Sequence, residues 1–136
     1  GMTMSYLRPE LPPIAITRCD MEKLTRIADS SAGVFAQTAE FLGREIDRAQ
    51  VIEEFESRPG LVKMGSRVTF RDDVTLQVRA VTLVYPGEAD VSQGKISVLT
   101  PVGAALIGLS VSQSIEWETQ SGGRRSLTVL AVDSVA

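Results

Sequence analysis

Residues Ser97 to Trp117 read SVLTPVGAALIGLSVSQSIEW, and this stretch indicates how the C-terminal half of the chain folds. Its two ends alternate apolar and polar residues, which predicts strands, and between them lies an apolar run of small residues that opens with a proline. Pro101 suits the first position of a helix, because the backbone N–H that it lacks would have no partner there. We therefore predict a short helix between Pro101 and Gly108, flanked by strands.

The rest of the chain after Gly60 has the period of two that is typical of half-buried strands. Turn residues such as Asp72-Asp73 and Pro86-Gly87 separate the segments. The predicted strands are SRVTFRD (66–72), LQVRAVTLVY (76–85), KISVLT (95–100), SIEWET (114–119) and SLTVLAVDSV (126–135). With the short helix they predict an α+β fold class, in which a compact antiparallel sheet carries one helix.

The first part of the chain has helical periodicity instead. Thr17 can cap a helix from about Arg18 to Ser31, with Asp20 at its third position, and Gly33 ends that helix. A second helix is predicted from about 35 to 52, with apolar residues at heptad spacing: Phe35, Ala39, Leu42, Ile46 and Ala49. The facing stripe on the first helix is Met21, Leu24, Ile27 and Ala28. Because the connection is short, the helices must run antiparallel, as a short coiled-coil hairpin.

The period changes at Ser57-Arg58-Pro59-Gly60, which is a turn signal. We therefore predict two domains, a helical hairpin over residues 1–60 and a sheet domain over residues 61–136. The first carries seven Lys and Arg against ten Asp and Glu, and the second carries seven of each, so the net charge of −3 lies in the hairpin.

Composition restricts the class of protein. A net charge of −3 argues against a protein that binds nucleic acid by neutralising phosphates, so a protein partner is expected. The single cysteine, Cys19, permits no internal disulfide, and no apolar run reaches the roughly 20 residues of a membrane helix. These features predict a cytoplasmic protein with no membrane partner, and we expect it to be a monomer.

The sequence offers no recognisable catalytic centre. It contains no histidine and no pair of cysteines, which excludes the common nucleophile and metal-site patterns that depend on them. Neighbouring carboxylates occur at Asp72-Asp73, Glu53-Glu54, Glu88 and Asp90, and Glu116 and Glu118, but residues of this kind are usually solvated charges or turn residues. We therefore expect a protein that is not an enzyme, with no catalytic residue, no metal ion and no cofactor.

The segment YPGEADVSQGKISVLTPVGAALIGL resembles the C-terminal domain of the bacterial Gre transcript-cleavage factors. The shared features, in order, are an acidic turn, an Ile-Ser strand, a hydroxyl residue before proline, and an apolar helix. They correspond here to Glu88-Ala89-Asp90, Ile96-Ser97, Thr100-Pro101 and Ala105-Leu106-Ile107-Gly108. With REIDRAQV and SRVTF upstream and TQSGGRRSLTVLAV downstream, the whole chain is most similar to the Rnk family, the regulators of nucleoside diphosphate kinase.

The resemblance implies an FKBP-like C-terminal domain that binds RNA polymerase. The site would be the rim of the secondary channel, at a coiled coil of the largest subunit, with the hairpin pointing into the channel. The residues implied in docking are Leu99, Thr100, Pro101, Ala104, Glu88 and Asp90. Gre factors usually carry Asp or Asn where this chain has Leu99.

The predicted hairpin tip contains Asp29, Ser30, Ser31 and Gly33. Gre factors have two acidic residues at the tip that are thought to help hold a catalytic magnesium ion. Here Asp29 is the sole carboxylate in the tip segment DSSAGVFAQT, and the next, Glu40, lies more than one turn down the second helix. A helix over residues 18–31 would span only about 20 Å. We therefore expect a regulator that competes with Gre factors without catalysing cleavage.

Three alternatives stay open to different degrees. A Gre-like stimulator of transcript cleavage would need the acidic pair at the tip, and a regulator of nucleoside diphosphate kinase levels leaves no readable pattern. A peptidyl-prolyl isomerase would need an aromatic-lined cavity, and the chain has seven aromatic residues in all.

Overall fold

The computed structural model describes residues 11–119 and 121–133. The elements are β1 (Ala15–Thr17), α1 (Arg18–Ser30), α2 (Ala36–Arg48), β2 (Gln50–Ile52), β3 (Arg67–Asp72), β4 (Val78–Val84), β5 (Lys95–Ser97), α3 (Pro101–Leu106), β6 (Ser114–Glu118) and β7 (Arg124–Asp133). A helical hairpin followed by a sheet with one short helix confirms the predicted α+β class. None of the helices in the described part of the chain is long and apolar enough to cross a membrane.

The main sheet has five strands in the order β5-β4-β3-β7-β6. Strands β4, β3, β7 and β6 pair antiparallel, as predicted, but β5 runs parallel to β4, with Val84 opposite Ser97. The prediction of a purely antiparallel sheet was therefore wrong at this edge. Residues 85–94 form a crossover with two 3-10 turns, and a crossover lets the next strand enter in the same direction as the last. Residues 134–135 of the last predicted strand lie outside the described residues.

Helix α3 packs directly on the backbone that leads into it. Gly103 and Ala104 are buried, and a Cβ added at Gly103 would lie 2.2 Å from the carbonyl oxygen of Ser97. Only a glycine lets two backbone segments approach this closely. The small residues that mark this stretch of sequence are therefore required by the position of α3.

Helix α1 begins and ends with side-chain caps. The Thr17 hydroxyl accepts a hydrogen bond from the Asp20 amide at 3.4 Å, and the Ser31 hydroxyl donates one to the Ile27 carbonyl at 2.7 Å. A 3-10 turn, Gly33–Phe35, then leads into α2. Ala39, Leu42 and Ile46 of the predicted stripe are buried, while Phe35 is 50% exposed.

Helix α2 ends at Arg48, so its predicted extension to Ile52 was wrong. Residues Gln50–Ile52 form β2, which pairs parallel with β1 in a small second sheet. Two nitrogens of Arg48 hold the buried carboxylate of Glu45 at 2.7 and 3.0 Å, and the same guanidinium donates to the Pro12 carbonyl. This contact holds the segment before β1 beside the end of α2, where residues 50–52 can pair with it.

One apolar core joins the hairpin to the sheet. A backbone hydrogen bond joins the two parts as well, from the amide of Ala15 to the carbonyl of Gly108 at 3.2 Å. The largest cluster of buried side chains includes Ile14, Ile16, Leu24, Leu42 and Ile46 from the first part of the chain and Phe70, Leu83, Leu106, Ile107 and Leu127 from the second. The division at residue 60 stays a prediction, as do the FKBP-like and coiled-coil descriptions of the two parts.

The contact at Gly103 predicts opposite effects for two glycine substitutions. Gly103→Ala should lower the free energy of unfolding by about 1 to 3 kcal/mol, because the added methyl group overpacks a backbone contact. Gly43→Ala is the matched control, since a Cβ at Gly43 in α2 meets nothing within 4 Å, and alanine should stabilise that helix by up to about 1 kcal/mol. Urea denaturation measures both. A Gly103→Ala variant as stable as the wild type would contradict this placement of α3.

Candidate functional site

Two loops leave the same edge of the sheet. Since β4 and β5 are parallel and Val84 lies opposite Ser97, their carboxyl ends meet at one edge. The 3-10 turn Pro86–Glu88 follows β4, and the first turn of α3, residues 100–102, follows β5. We call these two segments together the α3 edge. It brings Glu88 to the same end of the sheet as Thr100 and Pro101.

The α3 edge has a fixed backbone and an exposed proline. The Thr100 hydroxyl accepts a hydrogen bond from the Gly103 amide at 3.0 Å and donates one to the Ser97 carbonyl at 2.7 Å. The Thr100 hydroxyl therefore acts as a donor and as an acceptor within the fold, and both bonds stabilise the start of α3. Pro86, Glu88 and Pro101 are exposed, and Thr100 and Val102 are half-buried, so these side chains are accessible to a partner.

The structure narrows the set of predicted docking residues. Leu99 is 7% exposed and Ala104 is fully buried, so their side chains support the α3 edge from beneath and are not available at its surface. The Leu99 amide donates to the Ser97 hydroxyl at 2.9 Å. An apolar Leu99 fits this position because its side chain faces the core.

Asp90 lies at the opposite end of β5 from Thr100. Its backbone exchanges two hydrogen bonds with Lys95, both of 2.9 Å, at the start of that strand. Its carboxylate accepts from the Ser92 hydroxyl at 2.6 Å and from the Ser92 amide at 3.1 Å. The hydrogen bond from the Ser92 hydroxyl is the main cause that lowers the pKa of Asp90. This carboxylate therefore stabilises the 3-10 turn Val91–Gln93 and is not part of the α3 edge.

Asp20 connects the hairpin to the α3 edge. Its carboxylate accepts one hydrogen bond from the Tyr85 hydroxyl at 2.9 Å and another from the Met64 amide at 3.2 Å. Tyr85 directly precedes the Pro86–Glu88 turn, and the Lys23 ammonium lies 5.6 Å from the centre of its ring. Burial, and then the Asp20 carboxylate, raise the pKa of Tyr85. The phenol therefore stays protonated and donates to Asp20.

Sequence reasoning missed this role for Asp20. Its position in the first turn of α1 indicated a helix cap, and only its backbone amide serves there. The partners of its carboxylate lie 44 and 65 residues away along the chain, and no local pattern identifies them.

The predicted tip residues lie at the free end of the hairpin. Asp29 and Ser30 are exposed, Ser31 is half-buried by its capping bond, and Gly33 has a φ of +65° with open space around its Cα. From the sequence, we considered the carboxylate of Asp29 and missed two exposed apolar side chains of the same loop, Val34 and Phe35. Val34 is 90% exposed and Phe35 is 50% exposed.

Glu40 shares a groove with Asp29. The groove lies between α1 and α2, encloses about 340 Å³, and is lined by Ala28, Asp29, Ser31, Ala36, Ala39, Glu40 and Gly43. The two carboxylates therefore stand on facing helices below the tip, which the sequence did not indicate. Within residues 11–119 and 121–133, no three His, Cys, Asp or Glu residues are grouped closely enough to hold a metal ion.

The other neighbouring carboxylates stabilise the fold. Asp72 accepts from the amides of Val74 and Thr75 at 2.8 and 3.1 Å, and Asp73 accepts from Arg71 at 2.8 Å and from the Thr128 hydroxyl at 2.7 Å. Glu116 pairs with Arg124 across β6 and β7. The geometry gives these groups structural partners, which fits the interpretation of the sequence.

Two family models match this chain. Residues 12–52 match the Rnk N-terminus, and residues 57–134 match the C-terminal domain of the GreA/GreB transcription elongation factors. The first match contains β1, the hairpin and β2, and the second contains the main sheet and α3.

Individual relatives agree with the family models. The chain is 39% identical to the regulator of nucleoside diphosphate kinase of Escherichia coli K12 over 122 residues, which is 90% of each protein. It is 44% identical over 85 residues to the transcription elongation factor GreA of Roseiflexus castenholzii, where it covers 54% of the relative's length.

A solved structure agrees as well. The GreA/GreB-type elongation factor of Nitrosomonas europaea superposes with a TM-score of 0.68 at 36% identity, over 89% of this chain and 98% of that one. The order of the elements and both halves of the sequence thus lead to one assignment. The chain belongs to the Rnk family of regulators, which has the C-terminal domain of the GreA and GreB transcription elongation factors.

Proposed function

We propose that this protein binds bacterial RNA polymerase at the entrance of the secondary channel and competes there with Gre-type factors, without catalytic activity of its own. The observation that carries the proposal is the match of residues 57–134 to the C-terminal domain of GreA/GreB factors. A shared docking domain implies a shared docking site, so the two kinds of protein would exclude each other.

The α3 edge is the proposed docking surface. It presents Pro101, Glu88 and part of Val102 on a backbone that Thr100 and Gly103 hold in place. A preformed surface loses little conformational entropy when it binds. We therefore expect this edge to contact the coiled coil of the largest polymerase subunit with little rearrangement.

The hairpin supports a role without catalysis. Helix α1 has 13 residues, which corresponds to about 20 Å at 1.5 Å per residue. A magnesium site in a protein usually needs carboxylates that converge on one cation, and the end of this hairpin presents Asp29 alone. Occupation of the channel entrance is the mechanism that these features support.

Two other functions have weaker support. The groove shared by Asp29 and Glu40 favours a Gre-like stimulator of transcript cleavage as the second candidate, since it brings two carboxylates to facing helices. A link to nucleoside diphosphate kinase is suggested by the name of the Escherichia coli relative alone.

Docking at the α3 edge predicts a selective loss of polymerase binding. Pro101→Glu should raise the Kd for core RNA polymerase at least about tenfold, because it places a charge at the centre of the contact. Folding should be unaffected, since a glutamate is favourable in the first turn of a helix. Titration of labelled protein with core enzyme, alongside a thermal melt, measures both quantities.

Pro59→Glu is the matched control for this experiment. Pro59 is also exposed, but it lies in the turn that precedes β3. It should bind like the wild type. Equal affinity of the two variants would move the docking surface away from α3, and failure of the wild type to bind core polymerase would refute the proposed function itself.

The hairpin geometry predicts no transcript cleavage. Added to a backtracked elongation complex with magnesium, the protein should leave the rate of 3′-end cleavage unchanged, because its arm is short and carries one carboxylate at its end. It should reduce the cleavage that an added Gre factor stimulates, in proportion to its own occupancy of polymerase. Gel analysis of the labelled transcript measures both rates.

A variant with Asp29→Ala and Glu40→Ala separates the two candidate functions. Under the proposal it inhibits the Gre factor as well as the wild type does. If the wild type accelerates cleavage and this variant does not, the groove carboxylates act on the catalytic metal and the second candidate is correct.

A further inference from the structure

We propose that the hairpin tip, defined as residues 32–36, is a second binding surface that inserts into an apolar groove of a polypeptide. The inference rests on the proposed function, because the polypeptide is the polymerase already held at the α3 edge. It assigns a role to Val34 and Phe35, which the carboxylate chemistry of the arm leaves unexplained.

The tip is apolar and uncharged. Val34 is 90% exposed and Phe35 is 50% exposed, and the chain has no charged residue between Asp29 and Glu40. Exposed large apolar side chains at one place favour a protein contact, whereas binding to a phosphate backbone requires Lys or Arg. The chemistry of the tip therefore matches an apolar protein groove and not the nucleic acid of a transcription complex.

The tip is a turn that is closed by local backbone and side-chain hydrogen bonds. The amide and the hydroxyl of Ser31 both bond to the Ile27 carbonyl, at 3.1 and 2.7 Å, and the Phe35 amide donates to the Ala32 carbonyl at 3.4 Å. Gly33 supplies the positive φ that reverses the chain. These bonds fix the backbone that carries Val34 at the end of the arm, so its exposure follows from a defined turn.

The tip is too small to hold a partner alone. A buried aromatic side chain covers about 150 to 250 Å², whereas a stable protein interface buries about 800 Å² on each partner. Two side chains therefore cannot support a dimer of this chain through its tips. They can add affinity when another surface already holds the partner, because the second contact then forms at a high effective concentration.

The first turn of α1, which we call the arm base, lies next to the proposed docking surface that would already hold the partner. Tyr85 donates its hydroxyl to Asp20 in the first turn of α1, and the residue after Tyr85 begins the α3 edge. The arm and the docking surface are thus joined by one side chain and by a common core. The tip therefore stands at the far end of an arm whose base contacts Tyr85, next to the α3 edge.

A double substitution at the tip tests the proposal. The variant with Val34→Ser and Phe35→Ser should bind core RNA polymerase about tenfold more weakly than the wild type, with an unchanged melting temperature. The matched control carries Val91→Ser and Phe55→Ser, which are 85% and 87% exposed at other places, and it should bind like the wild type. Equal binding by both variants overturns this inference and leaves the proposed function intact.

A second experiment tests the role of the arm base. Tyr85→Phe removes the hydrogen bond to Asp20, so it should weaken binding of the protein with an intact tip more than binding of the tip variant. A double-mutant cycle measures this coupling. Additive effects would mean that Tyr85 does not direct the tip toward the partner.

A cross-linking experiment identifies what the tip touches. Val34→p-benzoylphenylalanine, irradiated in a complex with core polymerase on a nucleic-acid scaffold, should give an adduct with a polymerase polypeptide. An adduct with RNA or DNA overturns the assignment of a protein groove. If the unmodified protein does not bind the complex at all, the proposed function is refuted, and this inference, which rests on it, is refuted as well.

Discussion

The parallel pairing of β4 with β5 is the constraint on which the arrangement of the candidate site depends. Because Val84 lies opposite Ser97, the loops after both strands leave the sheet at one edge. Tyr85 directly follows β4 at this edge, and its hydroxyl donates to Asp20 at the base of α1. An antiparallel β5 would send α3 to the other end of the sheet and separate it from the hairpin.

Much of this fold could be predicted from local sequence. Alternating residues identified β3, β4, β6 and β7, and Pro101 with the small residues after it identified α3. Those signals depend on neighbours along the chain, and the positions of the strands follow from them. The direction of β5, the pairing of β1 with β2 and the end of α2 depend on segments that are distant in sequence. A three-residue strand such as Gln50–Ile52 has too little pattern to be distinguished from the last turn of a helix.

The candidate site was predicted less completely than the fold, because its contacts join residues that are distant in sequence. The sequence placed Thr100, Pro101 and Glu88 in one group, and the structure brings them to one edge. It also grouped Leu99 and Ala104 with them, although both side chains are buried, because proximity in sequence says nothing about the direction of a side chain. Asp20 was assigned to a cap, since its role depends on Tyr85 and Met64, which only the tertiary fold brings near.

Under the proposed function, the two halves of the chain have different roles. The sheet domain supplies an edge of fixed backbone, which favours affinity, and the hairpin supplies whatever chemistry stands at its tip. At the tip of this hairpin stand Val34 and Phe35, whose exposed apolar side chains suit contact with a protein and not with a metal ion. Since the hydrogen bond from Tyr85 to Asp20 and the common core connect the two parts, a change at the tip would, under the proposed function, alter what the bound protein does without altering where it binds.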